Sequence, residues 1–227
     1  LAELYMREFD HRVSLINDLV FYRRYVDDMI FVFTPSTLCN ISAYKAMIDK
    51  TFSDFSLRKN TSKSKAYGLT NPANQSMSYK FDFLGYNFHY KGKSLFIGLS
   101  THKISRIRAR MDAVFAAYVA NKAYNKRKED RMLLKRLRYL AGNTKLQNRK
   151  SNILIGIYFS NTLVNCFSQL KKLDSELNKK LIKLQLSSTL MNRFKSVSFE
   201  IGFKEKMFFI LTQSDFKEIS ECWKGVK

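Results

Sequence analysis

Residues 21–33 read FYRRYVDDMIFVF, and two adjacent acids, Asp27 and Asp28, interrupt an otherwise apolar and aromatic run. An unpaired carboxylate is costly to bury, so these charges must be held by something or lie at a turn in water. The flanking runs, Phe21–Tyr25 and Met29–Thr34, have strand composition and predict a β-hairpin with the acids at its tip. Side chains alternate along a strand, but a tight turn lets neighbouring acids converge. Two carboxylates sharing one space repel each other unless a cation lies between them. Mg²⁺ suits them, as a hard ion that takes oxygen ligands and keeps positions open for phosphate. The plain alternative is a solvated turn carrying two acids.

The chain around this stretch has 227 residues, 45% of them hydrophobic, with only 2 Pro and 8 Gly. That composition predicts a helix-rich chain with a sizeable core. Against 19 Asp+Glu stand 40 Lys+Arg, a net charge of +21. Such an excess points to a polyanionic partner, with nucleic acid first and an anionic membrane surface second. A membrane span is not expected: the longest clearly apolar run, Ile153–Phe159, is far short of the roughly 20 residues required. No signal peptide is seen. Cys39, Cys166 and Cys222 are scattered and odd in number, so no disulfide framework is expected and a cytoplasmic location is. His11, His89 and His102 are isolated and lack zinc-ligand spacing.

Periodicity predicts an amphipathic helix over residues 1–18, with Leu4, Met6, Phe9 and Val13 recurring, and a second helix over Ile41–Phe52. Leu57–Leu69 is polar and basic with a strand in it, and Asn71–Ser76 is a loop. Tyr79–Phe88 and Ser94–Leu99 read as strands joined by Lys91-Gly92-Lys93. Ser100 or Thr101 then caps a helix whose stripe is Ile104, Ile107, Met111, Val114, Phe115 and Tyr118. A further helix over 128–140 ends before Gly142. A third stretch from Asn152 onward carries Leu163, Phe167, Leu170, Leu173, Leu177, Leu181 and Leu184, a stripe read as core packing rather than a coiled coil. A last helix falls near Ser214–Trp223. The fold class is therefore α+β over residues 1–100, followed by a mostly helical part over 101–227.

The order of four pieces carries a resemblance. Tyr25-Val26-Asp27-Asp28 in its apolar hairpin resembles the catalytic hairpin of reverse transcriptases. Leu1-Ala2-Glu3-Leu4-Tyr5-Met6 resembles the helix after that family's dNTP-pocket motif. Asn60-Thr61-Ser62-Lys63-Ser64 is similar to its N-x-x-K-T motif, with Ser64 where Thr is usual. Phe83-Leu84-Gly85-Tyr86 resembles the primer-grip hairpin, where Gly permits close backbone approach. Within the family the chain resembles the bacterial branch of retron, group II intron and defence-associated enzymes. Arg138-Tyr139-Leu140-Ala141-Gly142-Asn143-Thr144 and Ile155–Asn161 look most like the thumb of the defence-associated group. A viral RNA-directed RNA polymerase is disfavoured, because its hairpin usually carries Gly-Asp-Asp.

The resemblance implies a polymerase palm, an antiparallel sheet with helices, over residues 1–100, and a helical thumb with a C-terminal extension over 101–227. It implies RNA-directed DNA synthesis with two Mg²⁺ ions, a DNA or RNA primer, dNTPs and an RNA template, in bacterial antiviral defence. A dedicated non-coding RNA, a partner protein or an oligomer would be compatible with it. Asp27 would bind both metals, and Asp28 would support the site and hold metal more weakly. Tyr25 and Val26 would lie under the primer end, with Leu84 and Gly85 helping to position it. Lys63 would approach the incoming nucleotide's phosphates as an acid or simply as a charge, with Lys65 near enough to compete. The family's remaining metal-binding aspartate lies upstream of its hairpin and is not in this sequence, so the chain is expected to be the C-terminal part of a longer protein, active only with that part. Alternative readings are protein-primed or untemplated DNA synthesis, and an RNA-binding maturase-like protein without essential catalysis.

Between His102 and Lys150 fifteen lysines and arginines face only Asp112, Glu129 and Asp130. Arg106 and Arg110 share a helix face, a like-charge spacing that a polyanion would explain. Lys103, Arg106, Arg110, Arg131, Lys135 and Arg138 are the candidate contacts to phosphates of a template–primer duplex, which they would grip without reading sequence. A solvated basic face is the plain alternative. Phe199, Phe203, Phe208 and Phe209 read as core first and base-stacking platforms second.

Overall fold

The structure, a computed structural model, describes residues 2–34, 40–68, 78–148 and 151–226. It is a mixed α+β chain with small sheets. The expected loop at Asn71–Ser76, the break at Pro35 and Ser36, and Cys39 lie outside the described residues. Contacts divide the chain into two compact units, Leu1–Leu84 with Lys91–Lys93, and Gly85–Tyr90 with Ser94–Lys227.

The first unit runs α1 (Ala2–Ser14), β1 (Leu19–Tyr25), β2 (Asp28–Phe33), α2 (Ile41–Asp54) and β3 (Ser78–Phe83). The expected helix over 1–18 stops at Ser14, because the chain turns through Leu15–Asp18 and Asp18 takes φ 65°. Of its predicted stripe, Met6, Phe9 and Val13 are buried whereas Leu4 is exposed. Phe9 meets Phe52 and Phe55 edge-on, with centroids 5.1 and 5.6 Å away. Leu19, Tyr22, Met29 and Phe31 complete this small core. Asn40 caps α2 by accepting from the amides of Ser42 and Ala43, as its short polar side chain favours.

Two expected strands are corrected here. No strand forms among the described residues of Leu57–Leu69; Asn60 accepts from Ser62, Lys63 and Ser64 and coils the segment into a turn. Local side-chain bonds of this kind compete with a ladder. Tyr79–Phe88 is not one strand either: β3 ends at Phe83 and β4 spans Tyr86–Lys91, because Leu84 and Gly85 take φ 48° and 78°. In the second unit β4 pairs with β5 (Ser94–Leu99).

The second unit continues with α3 (Thr101–Asn121), α4 (Lys126–Ala141), β6 (Asn143–Asn148), β7 (Ser151–Gly156), α5 (Ser168–Lys183), α6 (Ser188–Phe194), α7 (Phe199–Lys204) and α8 (Gln213–Glu221). Ser100 caps α3, and its predicted stripe is buried except for a half-buried Ile107. α4 is the central helix, packing against α3, α6, α7, α8 and the β6–β7 hairpin. Leu170, Leu173, Leu177 and Leu181 of α5 face this core, as do Phe199 and Phe203, whereas Leu163 is exposed.

The stretch from Asn152 does not run as a helix: its start is strand β7 of an antiparallel hairpin, and α5 begins only at Ser168. The reason lies at Gly142 and Asn143, where α4 turns into β6. Asn143 is 1% exposed. Its amide donates to Met207 O, and Phe209 N donates to its carbonyl. Its side-chain Nδ2 donates to Gly202 O (2.9 Å) and Met207 O (3.1 Å), while Oδ1 accepts from Tyr158 N (2.9 Å). One amide side chain thus ties the hairpin to the segment after α7. Gly202 is required beside it, since a Cβ there would lie 1.8 Å from Ala141 O.

Asn143→Ala leaves Gly202 O and Tyr158 N without that partner and is expected to cost about 2–4 kcal/mol in urea unfolding. A second expectation concerns acid. Asp215 accepts from Lys135 and closes a capping box with Thr212 at the start of α8. The bond from Lys135, then that from Thr212, holds its carboxyl down at about 2, against an ordinary 3.8. A lowered acid stabilises the fold above its unfolded value and loses that contribution as pH falls. Thermal stability should therefore drop between about pH 4 and pH 2, and Asp215→Asn should flatten that part of the profile.

Candidate functional site

The sheet register places the two acids. Tyr25 pairs with Asp28 across the β1–β2 ladder, leaving Val26 and Asp27 as a two-residue turn. Residues directly opposite one another share a face. One face therefore carries Tyr22 with Phe31 and Arg24 with Met29, and packs on α1. The other carries Phe21 with Val32, Arg23 with Ile30 and Tyr25 with Asp28. Asp27 and Asp28 are both exposed, and neither carboxylate has an ion-pair or hydrogen-bond partner among the described residues. Tyr25 and Val26 are exposed beside them.

Val26 sits at φ 56°, and Asp27 has no positive φ. This is the sign pattern of a type II′ turn, whose first position favours Gly. A β-branched residue there costs about 1–2 kcal/mol, so the surroundings must impose the conformation. Arg24 imposes it. Its Nη1 donates to the Val26 carbonyl (3.1 Å), and its Nε and Nη2 fork onto Asp10 (2.9 and 2.7 Å). Nη2 also reaches Glu3 (2.8 Å), and Tyr22 donates to Asp10 (2.6 Å). Only 9% of the Arg24 side chain is exposed. These bonds push the Arg24 guanidinium well above its ordinary value, Asp10 contributing most, and hold the carboxyls of Asp10 and Glu3 below theirs. Burial, then Asp10, raises the Tyr22 hydroxyl.

Glu3, Asp10, Tyr22 and Arg24 were not picked out as site residues from sequence. The available signal was the seven-residue spacing of Glu3 and Asp10, which puts both acids on one helix face.

Asn60 organises the second piece. Its side chain and carbonyl receive the amides of Lys63 and Ser64. The Asn and Lys of the N-x-x-K pattern are therefore linked by a turn that leaves Lys63 exposed, with Lys65 also exposed. The third piece, Leu84-Gly85, has positive φ at both residues, the pattern of a type I′ turn. Gly85 O accepts from Ser100 N (3.1 Å).

The candidate duplex contacts do not form one free face. Arg106 and Arg131 are exposed, Arg106 lying 2.8 Å from His102 Nε2. Arg110 lies over the Trp223 ring at 5.4 Å, Arg138 over Phe209 at 5.2 Å, and Lys135 pairs with Asp215. Burial, together with the charge of Arg193, lowers the Arg138 guanidinium. Lys103 donates to Asn161 and lies over Tyr86. Of the α4 cations, Lys135, Arg136 and Arg138 have partners within the second unit, whereas Lys126, Arg127, Lys128 and Arg131 are exposed.

Among the described residues no three His, Cys, Asp or Glu side chains gather as a metal-holding group. Asp27 and Asp28 supply oxygen ligands of the kind Mg²⁺ takes, but two carboxylates are fewer than a two-metal site needs. No described helix is long and apolar enough to cross a membrane. Comparison with protein-family models, curated proteins and solved structures finds no match.

Two substitutions test the turn. Arg24→Met should cost about 2 kcal/mol in urea unfolding, less than a fully buried pair because water reaches Asp10. Val26→Gly should leave stability unchanged or raise it by up to about 1 kcal/mol.

Proposed function

We propose that this chain is the C-terminal palm and thumb of a reverse transcriptase that adds dNTPs to a primer 3′ end, directed by an RNA template, in bacterial antiviral defence. The observation that carries the reading is the Tyr25-Val26-Asp27-Asp28 turn. Its two carboxylates are exposed and unpartnered, and Arg24 holds the turn in a conformation that a valine resists. Strain retained by surrounding structure is a mark of sites where geometry matters.

In this reading Asp27 and Asp28 hold Mg²⁺, with a third carboxylate that the described residues do not provide. Bound Mg²⁺ supplies activation of the primer hydroxyl and neutralisation of the leaving pyrophosphate. Tyr25, exposed beside Asp28, offers a ring for the primer's last base. Lys63 brings an ammonium to the nucleotide phosphates, and Asn60 sets the backbone that presents it. Leu84 and Gly85 present a tight turn to the primer strand. The net +21 of the chain supports a polyanionic partner.

The test is primer extension by the full-length protein with Mg²⁺ and dNTPs, given RNA, DNA or no template. RNA-dependent extension that disappears in Asp27→Ala is the expected result. Extension without template would move the reading to untemplated or protein-primed synthesis. Equal inactivity of wild type and Asp27→Ala, with tight binding of structured RNA, would replace it with a binding function.

A further inference from the structure

Lys103 is a partly buried cation of the second unit with no acid partner among the described residues, and its setting is built. Its Nζ donates to Asn161 Oδ1 at 2.7 Å and lies 4.8 Å from the centroid of the Tyr86 ring. Its stem runs under the turn at Gly85, where a Cβ would come within 2.6 Å of Lys103 Cε. Asn161 is 6% exposed and is itself fixed, donating from Nδ2 to Ile157 O at 3.0 Å. Gly85 O is fixed in turn by Ser100 N, and Ser100 caps the helix that carries Lys103.

An ammonium has three N–H donors. Here one goes to a neutral amide and the ring takes up part of the charge. Among the described residues no carboxylate pairs with Lys103. Burial, and the nearby charge of Arg106, lower its affinity for a proton. Arg108, Lys135 and Lys180 in the same unit each have an acid. A half-buried cation kept without one is a place where an anion lowers the energy of both.

We infer that Asn161 and Tyr86 are positioning residues that hold the Lys103 ammonium beneath the Gly85 turn, where it takes a phosphate group of a nucleic-acid strand. The inference rests on the proposed nucleic-acid function and adds to it two residues that act only through Lys103. Asn161 orients the amine without cancelling its charge, which an aspartate would do. The ring of Tyr86 tolerates the bare cation, and two of its three N–H donors have no hydrogen-bond acceptor among the described residues.

That distinction gives the experiment. Binding of an RNA/DNA hybrid of about 16 base pairs is measured against NaCl concentration for wild type, Lys103→Met and Asn161→Asp, with the melting temperature of each. Asn161→Asp keeps an acceptor on Lys103 but neutralises it; Lys103→Met removes the charge and leaves Asn161 its bond to Ile157. Both should bind about tenfold more weakly, with the slope of log affinity against log salt reduced by about one. A wild-type slope in Asn161→Asp overturns the positioning role of Asn161, and a wild-type slope in Lys103→Met overturns the phosphate contact, each while leaving nucleic-acid binding intact. Parallel titration with dTTP separates the sources of phosphate: a loss confined to dTTP assigns the group to a nucleotide and overturns the strand assignment. Failure of the wild type to bind either probe overturns the proposed function, and the inference with it.

Discussion

The geometry of the acidic turn depends on the guanidinium of Arg24. A valine in the left-handed region and two unpaired carboxylates in sequence are each unfavourable, and nothing in the two-residue turn itself compensates for them. The compensation comes from α1, whose Glu3 and Asp10 meet one planar fork that also captures the Val26 carbonyl. Arginine suits this position because its donors lie in a fixed plane; a lysine would bring charge without the fork. The small core of Met6, Phe9 and Val13 keeps α1 in place, so the packing of three apolar side chains and the shape of the turn are one problem.

The second unit solves its own junction with a neutral group. Asn143 offers donors and acceptor from one buried amide and completes the backbone of segments about sixty residues apart in sequence. Its partners are carbonyls and amides that no helix or strand would otherwise satisfy, and an unpaired one in that position is expensive. The crossing is also tight enough at Gly202 to exclude any side chain.

Much of this was legible in the sequence, for definite reasons. The hairpin at Asp27–Asp28 was marked by apolar runs of strand length, and α3 by six apolar positions recurring over four turns. What escaped was what is not local. The partners of Arg24 lie 14 and 21 residues away, and no pattern within β1 names them. The β6–β7 hairpin was hidden because Leu146 is the one strongly apolar residue of β6, and the bonds that tie Asn143 down run to Gly202 and Met207, about sixty residues away. The strand expected after Leu57 lost to the side-chain bonds of Asn60. The basic helices were visible as charge, but sequence does not say which cation has a ring or an acid waiting: Trp223 lies 113 residues from Arg110.

Those ring contacts have a consequence for how the chain can change over time. In the second unit Arg110, Arg138, Lys180, Lys204 and Lys206 each lie over an aromatic ring contributed by another segment. A ring exchanged for an aliphatic group of equal volume would preserve packing yet release a cation to the surface. The hydrophobic and electrostatic characters of this unit are therefore inherited together, and drift in its aromatic positions is also drift in the charge it presents.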